Sequence, residues 1–282
     1  MNILYVAEIT GKTGVYAFKQ GISLLKNQKK IDFVVACADG ATGGGGLGRN
    51  HAAYIHKLGA NVLLTGECCF YKKDLVENWD KIPYVLRPYN LNDEAPGAGF
   101  RIYKCTSASS SAGTNARIAV AVLLGQSGFT RLHGDNPAAC LPALLERLRR
   151  ETPFVILDFH AGATAEKQTL FAAADGHCSA IIGSHGKVQT ADERILPGGS
   201  AVITDAGRTG STESVGGSAI APRINEYLTG IPDWTREAWA KPELQGVLIS
   251  IAGNGKAQSI ERIRVPVPEM PQQDKKDEKE ES

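Results

Sequence analysis

The sequence lacks most features that would place a chain outside the ordinary globular proteins. Lys and Arg number 31 and Asp and Glu number 30, so the formal net charge of +1 creates no field that favours nucleic acid or an anionic membrane. Apolar runs such as 118–124 are too short to span a bilayer. The first residues lack the basic and long apolar stretches of a secretory signal. We therefore expect a cytoplasmic protein that contacts neither a membrane nor a nucleic-acid polymer.

Cysteine is sparse, and none of the six cysteines belongs to a C-x-x-C motif. In a cytoplasmic chain of this length such cysteines are reduced thiols and not a disulfide framework. What the chain does have is an ordinary balance of 43% hydrophobic and 22% charged residues. Spread over 282 residues, this composition is enough to bury a sizeable core.

Short apolar runs alternate with helical patterns in the first part of the chain. Val15, Phe18, Ile22 and Leu25 recur at spacings of three and four, which predicts a helix between strands at 2–6 and 31–38. This rhythm predicts an α/β fold with parallel strands and helices on both faces of the sheet. The other expected elements are strands at 61–65, 84–86, 101–105, 117–124, 154–159, 180–183 and 201–204, helices at 49–58, 137–150 and 164–174, and a closing hairpin of 247–251 and 260–265.

The domain count is expected to be one, over residues 1–267, with the middle strands as a small β insertion. Residues 107–115 are rich in Ser and Gly, which predicts a turn or flexible hairpin tip. Residues 268–282 combine proline with dense mixed charge, and we expect a disordered tail. Thr164 is expected as the N-cap residue of its helix.

Polar side chains follow five of the expected strands. In open α/β sheets, ligands gather outside the carboxyl ends of the strands, where such side chains can meet. Carboxylates and neutral imidazoles converging on one point suit a hard or borderline divalent metal. Any one of these residues alone is more often a solvated turn residue or a hydrogen-bonded structural histidine, but together they predict a shared site. They are Glu8, Asp39, Glu67, Cys68, His160, His185 and Lys187.

Two other features have a simpler interpretation. Arg147, Arg149 and Arg150 could form a local basic patch, but a solvated helix face is the preferred reading. The glycine-rich loop 41–48 could bring backbone amides to a phosphate, yet no G-K-[ST] ends it, so a flexible connector is preferred.

Several motifs resemble the YmdB-like bacterial branch of the calcineurin-type metallophosphoesterases. The resemblance runs from Met1 to about Val265. It implies a two-layer β sandwich flanked by helices, with two divalent metals bridged by a carboxylate. It also implies phosphodiesterase activity on 2′,3′-cyclic nucleotides or related diesters. The motifs are A-E-I-T-G at 7–11, A-D-G at 38–40, T-G-E-C at 65–68, V-L-R-P-Y-N at 85–90, D-F-H-A-G-A-T-A-E-K at 158–167, G-S-H-G-K-V-Q-T-A-D-E-R-I-L-P at 183–197 and I-T-D-A-G-R-T-G at 203–210.

The chain departs from this family's pattern at several site positions. His160 and His185 match the family's histidine ligands. Gly162 stands where the family carries Glu. The other departures are Glu8 for Asp, Asp39 for the bridging Glu, Gly40 for an Asn that ligates metal or touches phosphate, Glu67 for an Asn ligand, Cys68 for the catalytic His and Lys187 for the last His ligand.

The departures affect the two expected metal positions unequally. One position keeps Asp39, Glu67, His160 and His185, a mixed oxygen and nitrogen set that suits Zn, Mn or Fe. The other keeps Asp39 and the weaker ligand Glu8 but has lost its imidazole to a lysine, whose ammonium repels a dication. We therefore expect at most one divalent metal per chain, with Lys187 in place of the second, and the absence of any metal stays open.

Cys68 has three possible roles at the family's catalytic position. It is a small apolar filler, a ligand for a soft metal, or a redox or nucleophilic group, and the sequence leaves these open. A thiol is a poorer proton donor than an imidazolium near neutral pH.

The function therefore has alternatives. The favoured one is an eroded metallophosphoesterase, weakly active or inactive towards phosphodiesters, that keeps a phosphodiester or nucleotide ligand. The second is an active phosphodiesterase with a changed metal or substrate preference. A structural or assembly role is the third, and homo-oligomerisation stays open.

Overall fold

The structure, a computed structural model, describes residues 1–106, 115–233 and 236–271. Its helices are α1 (Gly11–Gln28), α2 (Arg49–Lys57), α3 (Lys73–Val76), α4 (Pro137–Glu151), α5 (Thr164–Ala174) and α6 (Ile220–Thr229). Its strands are β1 (Asn2–Val6), β2 (Glu8–Ile9), β3 (Phe33–Cys37), β4 (Val62–Leu64), β5 (Val85–Leu86), β6 (Phe100–Thr106), β7 (Asn115–Leu124), β8 (Val155–His160), β9 (Ala180–Ser184), β10 (Arg194–Ile195), β11 (Ala201–Ile203), β12 (Arg208–Ser211), β13 (Pro242–Ile251) and β14 (Ala257–Pro266).

The strands form two mixed sheets. In the first, β1, β3, β4 and β5 run parallel, β13 joins β1 antiparallel, and β12 with β2 continues beyond β13. Strand β14 pairs with β13 as the expected hairpin. In the second sheet, β7, β8, β9 and β11 run parallel, with β6 and β10 antiparallel at the two edges. The middle strands β6 and β7 therefore belong to the second sheet and are not an insertion.

The two sheets pack face to face because their central strands present apolar side chains on both faces. On β1, Ile3 and Tyr5 point into the layer between the sheets, while Leu4 and Val6 point outward against α1 and α2. The outer face of the second sheet packs on α4 and α5. The expected two-layer β sandwich flanked by helices is confirmed, whereas the expectation of one sheet with helices on both faces is wrong.

Most expected elements lie where the sequence places them, within a few residues. Thr164 is the first residue of α5, and Ala163, which has no capping side chain, is the N-cap residue. The expected hairpin tip lies outside the described residues, except for Asn115. Of the expected tail only residues 268–271 are described, and there Met270 is buried and Glu269 accepts a hydrogen bond from the Lys241 amide.

The described helices include none that is long and apolar enough to cross a membrane. All six cysteines are free thiols. The arginines of α4 contact their own fold: Arg147 lies over the Phe100 ring, Arg149 donates to the Gly176 carbonyl, and Arg150 pairs with Glu146. These contacts fit a solvated helix face.

Gly246 lets β13 approach β1 closely. It pairs with Val6, and a Cβ added there would lie 2.1 Å from the Tyr5 carbonyl oxygen. Backbone atoms on both sides fix this spacing, so the strands must separate to admit a methyl group. The glycine therefore determines how the two central strands of the first sheet meet.

We expect Gly246→Ala to lower the free energy of unfolding by about 2–3 kcal/mol, measured by urea denaturation. Gly253→Ala is the matched control, because that position lies in the turn of the same hairpin with open space around its Cβ. Equal stability of the two variants would contradict this account of the strand contact.

Candidate functional site

The carboxyl ends of both sheets meet in one cleft, as the sequence predicts. Each side chain there stands at the end of a strand or just beyond it, so its backbone is fixed by the sheet. The first sheet contributes Glu8, Asp39 and Glu67, and the second contributes His160, His185 and Lys187.

Asp39 holds the loop that follows β4. Its Oδ1 accepts a hydrogen bond from the Gly66 amide at 2.6 Å, and its Oδ2 accepts one from the Cys68 amide at 3.1 Å. The side chain is only 2% exposed. Burial raises the pKa of Asp39 to about 7, although the charge of His160 opposes that shift.

Glu67 lies between two imidazoles. Its Oε2 forms a short ion pair with His160 Nε2, and its Oε1 lies 3.1 Å from His185 Nδ1. Burial acts to raise the pKa of Glu67, but the charges and hydrogen bonds of the two imidazoles outweigh it and lower that pKa below its usual value. Burial also acts to lower the pKa of His160, and the Glu67 carboxylate outweighs it and raises that pKa to about 9.

These side chains fit one divalent cation. The ligand atoms of Glu67, His160 and His185 lie within 4.8 Å of one another, and so do those of Asp39, Glu67 and Cys68. Asp39 Oδ2 is 3.8 Å from His160 Nε2, so the two groups share one region of the cleft. Carboxylate oxygen and imidazole nitrogen together suit Zn, Mn or Fe.

Lys187 fills the other side of the cleft. Its Nζ lies 3.0 Å from Glu8 Oε1, and Glu8 is only 3% exposed. The charge of Glu8 raises the pKa of Lys187 above its usual value, so the ammonium stays charged. Glu8 Oε2 is buried and has no hydrogen-bond partner among the described residues. The chain thus places its own cation against the carboxylate that the family resemblance assigns to a second metal.

Gly40 leaves room for this ion pair. A Cβ added at Gly40 would lie 2.7 Å from Glu8 Oε1 and 3.4 Å from Thr10 Oγ1. The longer side chain of Glu8 therefore uses the space that a side chain at position 40 would need. Positions 8 and 40 are therefore sterically coupled, and positions 8 and 187 are coupled by the ion pair, whereas a role of Gly40 in substrate binding stays a prediction.

Cys68 lines a cavity of about 190 Å³ next to the metal-ligand candidates. Its other walls include Tyr71, Phe129, Arg131 and His185. The Arg131 guanidinium lies 5.8 Å from the centre of the Tyr71 ring. Burial, followed by the charge of Asp39, raises the pKa of the Cys68 thiol above its usual value. Cys68 is thus one of the residues that a ligand in this cavity would contact, and the three possible roles of its thiol remain predictions.

The loop that carries His185 and Lys187 is fixed by a buried ion pair that the sequence does not reveal. Lys167 Nζ lies 2.8 Å from Asp205 Oδ2, and the Gly186 amide donates to the same oxygen at 2.7 Å. His185 and Lys187 both have a left-handed backbone, with φ of 85° and 59°. Because L side chains rarely adopt this conformation, the surrounding contacts must hold it. From the sequence, Lys167 is expected only to lie in a helix. Its spacing from other residues does not predict a buried ion-pair partner.

Two further predictions concern glycine. In the loop 41–48, the amides of Thr42, Gly45 and Gly46 donate to carbonyls of the loop or of Asp39, which favours a connector over a phosphate cradle. Gly162 lies against another loop, since a Cβ there would be 2.9 Å from the Ser127 carbonyl oxygen.

The two-sheet sandwich and the acid–imidazole cleft at its strand ends define a class, the calcineurin-like phosphoesterases. Within that class, a sequence model of the YmdB-like proteins matches residues 4–263. The chain belongs to the YmdB-like family.

Individual relatives match this chain over nearly the whole length of both. A 2′,3′-cyclic-nucleotide 2′-phosphodiesterase of Bacillus subtilis is 33% identical over 94% of this chain and 97% of its own. A crystal structure described as a novel phosphatase of Mycoplasma pneumoniae has a TM-score of 0.86 and 29% identity, covering 98% of this chain and 96% of its own. A hypothetical protein of Thermus thermophilus has a TM-score of 0.84 and 26% identity, covering 95% and 100%.

The pairing of His160 with Glu67 predicts how stability depends on pH in chelator-treated protein. Because the folded pKa of His160, about 9, exceeds the ordinary 6.5, its protonation stabilises the folded state fully below about pH 6.5. That contribution is lost as pH rises through 9. Asp39, whose pKa is raised to about 7, also makes stability fall as pH rises, but that change is largely complete by about pH 7. We expect the free energy of unfolding to fall by about 1–3 kcal/mol between pH 7 and pH 9.5.

The measurement is thermal or urea unfolding across this pH range. Glu67→Gln removes the charge that raises the His160 pKa, so the decline above pH 7 should be much smaller in that variant. An equally steep decline in both proteins would contradict the assignment to this ion pair.

Proposed function

We propose that this protein is a YmdB-like phosphoesterase with an altered metal centre, which holds at most one divalent metal and is weakly active or inactive towards phosphodiesters. The observation that carries the proposal is the ion pair between Lys187 and Glu8, with its nitrogen–oxygen distance of 3.0 Å. An ammonium inside the cleft repels a second dication and neutralises the carboxylate that such an ion would need.

The single metal would be held by Asp39, Glu67, His160 and His185. When bound there, a divalent metal would polarise a phosphoryl oxygen and lower the pKa of a bound water. The Lys187 ammonium is a second positive charge in the cleft, but it is already paired with the Glu8 carboxylate. Cys68, where the family has its catalytic histidine, offers a thiol that protonates a leaving oxygen poorly near neutral pH.

The loss of one metal and of a good proton donor supports low activity. Each change removes charge stabilisation or proton transfer from the transition state, and each tenfold loss of rate corresponds to about 1.4 kcal/mol of barrier. Together they support a protein that binds a phosphodiester or nucleotide more readily than it hydrolyses one.

A second candidate is an active phosphodiesterase with a changed metal or substrate preference. The cavity of about 190 Å³ supports it, because that cavity joins Glu67 and His185 to Cys68, Tyr71 and Arg131. Arg131 offers a guanidinium for a phosphate and Tyr71 an aromatic ring for a base. Since a relative from Bacillus subtilis is named a 2′,3′-cyclic-nucleotide 2′-phosphodiesterase, we choose one such nucleotide, 2′,3′-cyclic AMP, as the first substrate to test.

We expect one metal equivalent or fewer per chain, measured by mass spectrometry on untagged protein purified without chelators, in air and without oxygen. His160→Ala should remove that metal. Two equivalents in the wild-type protein would overturn the proposal. Hydrolysis of 2′,3′-cyclic AMP that disappears in His160→Ala would favour the second candidate.

The triple variant Glu8→Asp, Gly40→Asn, Lys187→His should gain a metal equivalent. The three changes must be combined, because a side chain at position 40 would collide with Glu8. Lys187→Met is the matched control, since it removes the ammonium without adding a ligand. If the triple variant binds no more metal than Lys187→Met, Lys187 does not stand in for a second metal.

A further inference from the structure

A chain of hydrogen bonds leads from His160 into the layer between the two sheets. His160 Nδ1 lies 2.9 Å from Ser184 Oγ. Ser184 Oγ donates to Asp158 Oδ2 at 3.2 Å, and the Tyr5 hydroxyl donates to Asp158 Oδ1 at 2.7 Å. Tyr5, Asp158 and His160 are fully buried, and Ser184 is 2% exposed. This series of hydrogen bonds therefore connects β1, β8 and β9 behind the candidate metal ligands.

The direction of these hydrogen bonds determines which imidazole nitrogen of His160 carries a proton. A serine hydroxyl has one proton, and Ser184 gives it to Asp158. Ser184 Oγ must then accept a proton from His160 Nδ1. Since Nδ1 keeps its hydrogen on the buried side, Nε2 is the nitrogen that faces Glu67 and Asp39.

Stability alone does not explain these residues. Their neighbours in the layer between the sheets include Val35, Val120 and Ile182, all apolar. Burying a carboxylate among such side chains costs free energy even when it is hydrogen-bonded, and an apolar set of similar volume is often at least as stable. Outer partners that hold a ligating histidine in one orientation are common at metal sites.

We propose that Ser184, Asp158 and Tyr5 are positioning residues that fix the ring orientation and proton placement of His160, so that its Nε2 is directed at a metal. This inference rests on the proposed metal binding at His160. None of the three residues reaches the metal-ligand atoms itself. Their effect is on the affinity of the site, through His160.

The first test is Zn²⁺ affinity by chelator competition. Ser184→Ala should weaken binding by about 10–100-fold, and Ser184→Thr, which keeps a hydroxyl, should restore most of it. Tyr5→Phe keeps the ring and removes only the donor farthest from His160, so a smaller loss of Zn²⁺ affinity is expected. This variant tests the series of hydrogen bonds even if Ser184→Ala folds poorly.

Ser179→Ala is the matched control. Ser179 is also fully buried and stands at the opposite end of β9, where its hydroxyl donates to the Pro153 carbonyl. This variant should lose a serine hydroxyl from an equally buried position and bind Zn²⁺ like the wild type. Equal loss of affinity in Ser179→Ala and Ser184→Ala would mean that only general destabilisation was measured, and would overturn the proposal.

The second test does not need the metal. Long-range proton–nitrogen correlation spectra of histidine-labelled, metal-free protein should show a protected proton on His160 Nδ1, with the signal assigned by its loss in His160→Gln. That signal should disappear in Ser184→Ala and persist in Ser179→Ala. If the wild type binds no Zn²⁺ but shows this pattern, the metal proposal fails while the orienting role of Ser184 stands. An unchanged signal and unchanged affinity in Ser184→Ala would overturn the inference.

Discussion

The face-to-face packing of the two sheets is the constraint on which the site depends. Apolar side chains such as Tyr5 and Val35 from one sheet and Ile156 and Ile182 from the other fill the layer between them. Because both sheets have a parallel centre, each collects the residues that follow its strands at one edge, and the packing brings the two edges together. Neither sheet alone has both the carboxylates and the imidazoles. The cleft is thus a product of the sandwich and not of any one motif.

That packing buries three carboxylates close together, and neighbouring cations compensate their negative charge only in part. Glu8, Asp39 and Glu67 are all largely withdrawn from water. Glu67 has two imidazoles beside it and Glu8 has Lys187, but the hydrogen bonds to Asp39 come from backbone amides, and its pKa rises to about 7. Negative charge therefore remains least compensated around Asp39. A cation bound between Asp39 and Glu67 would relieve it, and so would a proton.

Much of the fold and of the site could be predicted because both follow from local patterns. Fully buried strands such as β8 show as apolar runs, and polar residues at strand ends mark the cleft. Elements β2 and α6 are among those that were not predicted. Strand β2 has only two residues, too few to show an alternating pattern. Helix α6 buries none of its side chains, so its sequence has no core-facing apolar pattern. The ion pair of Lys167 with Asp205 joins residues 38 positions apart, which no spacing rule reveals. The individual helices and strands therefore follow from periodicity and the two-sheet arrangement from the family resemblance, whereas the contacts that support the site appear only in the three-dimensional structure.

The departures from the family pattern fall into two physical groups. Glu8, Gly40 and Lys187 fit one another: the longer carboxylate fills the space above the glycine and meets the ammonium. Under the proposed function, this complementary fit of volume and charge corresponds to the replacement of a bound cation by the ammonium of Lys187. Cys68 has no comparable partner exchange; its thiol borders the open cavity beside Glu67. A ligand bound in that cavity would contact the thiol and the Glu67–His185 pair, so the proposed function depends on the thiol side of the cleft as well as on the lysine side.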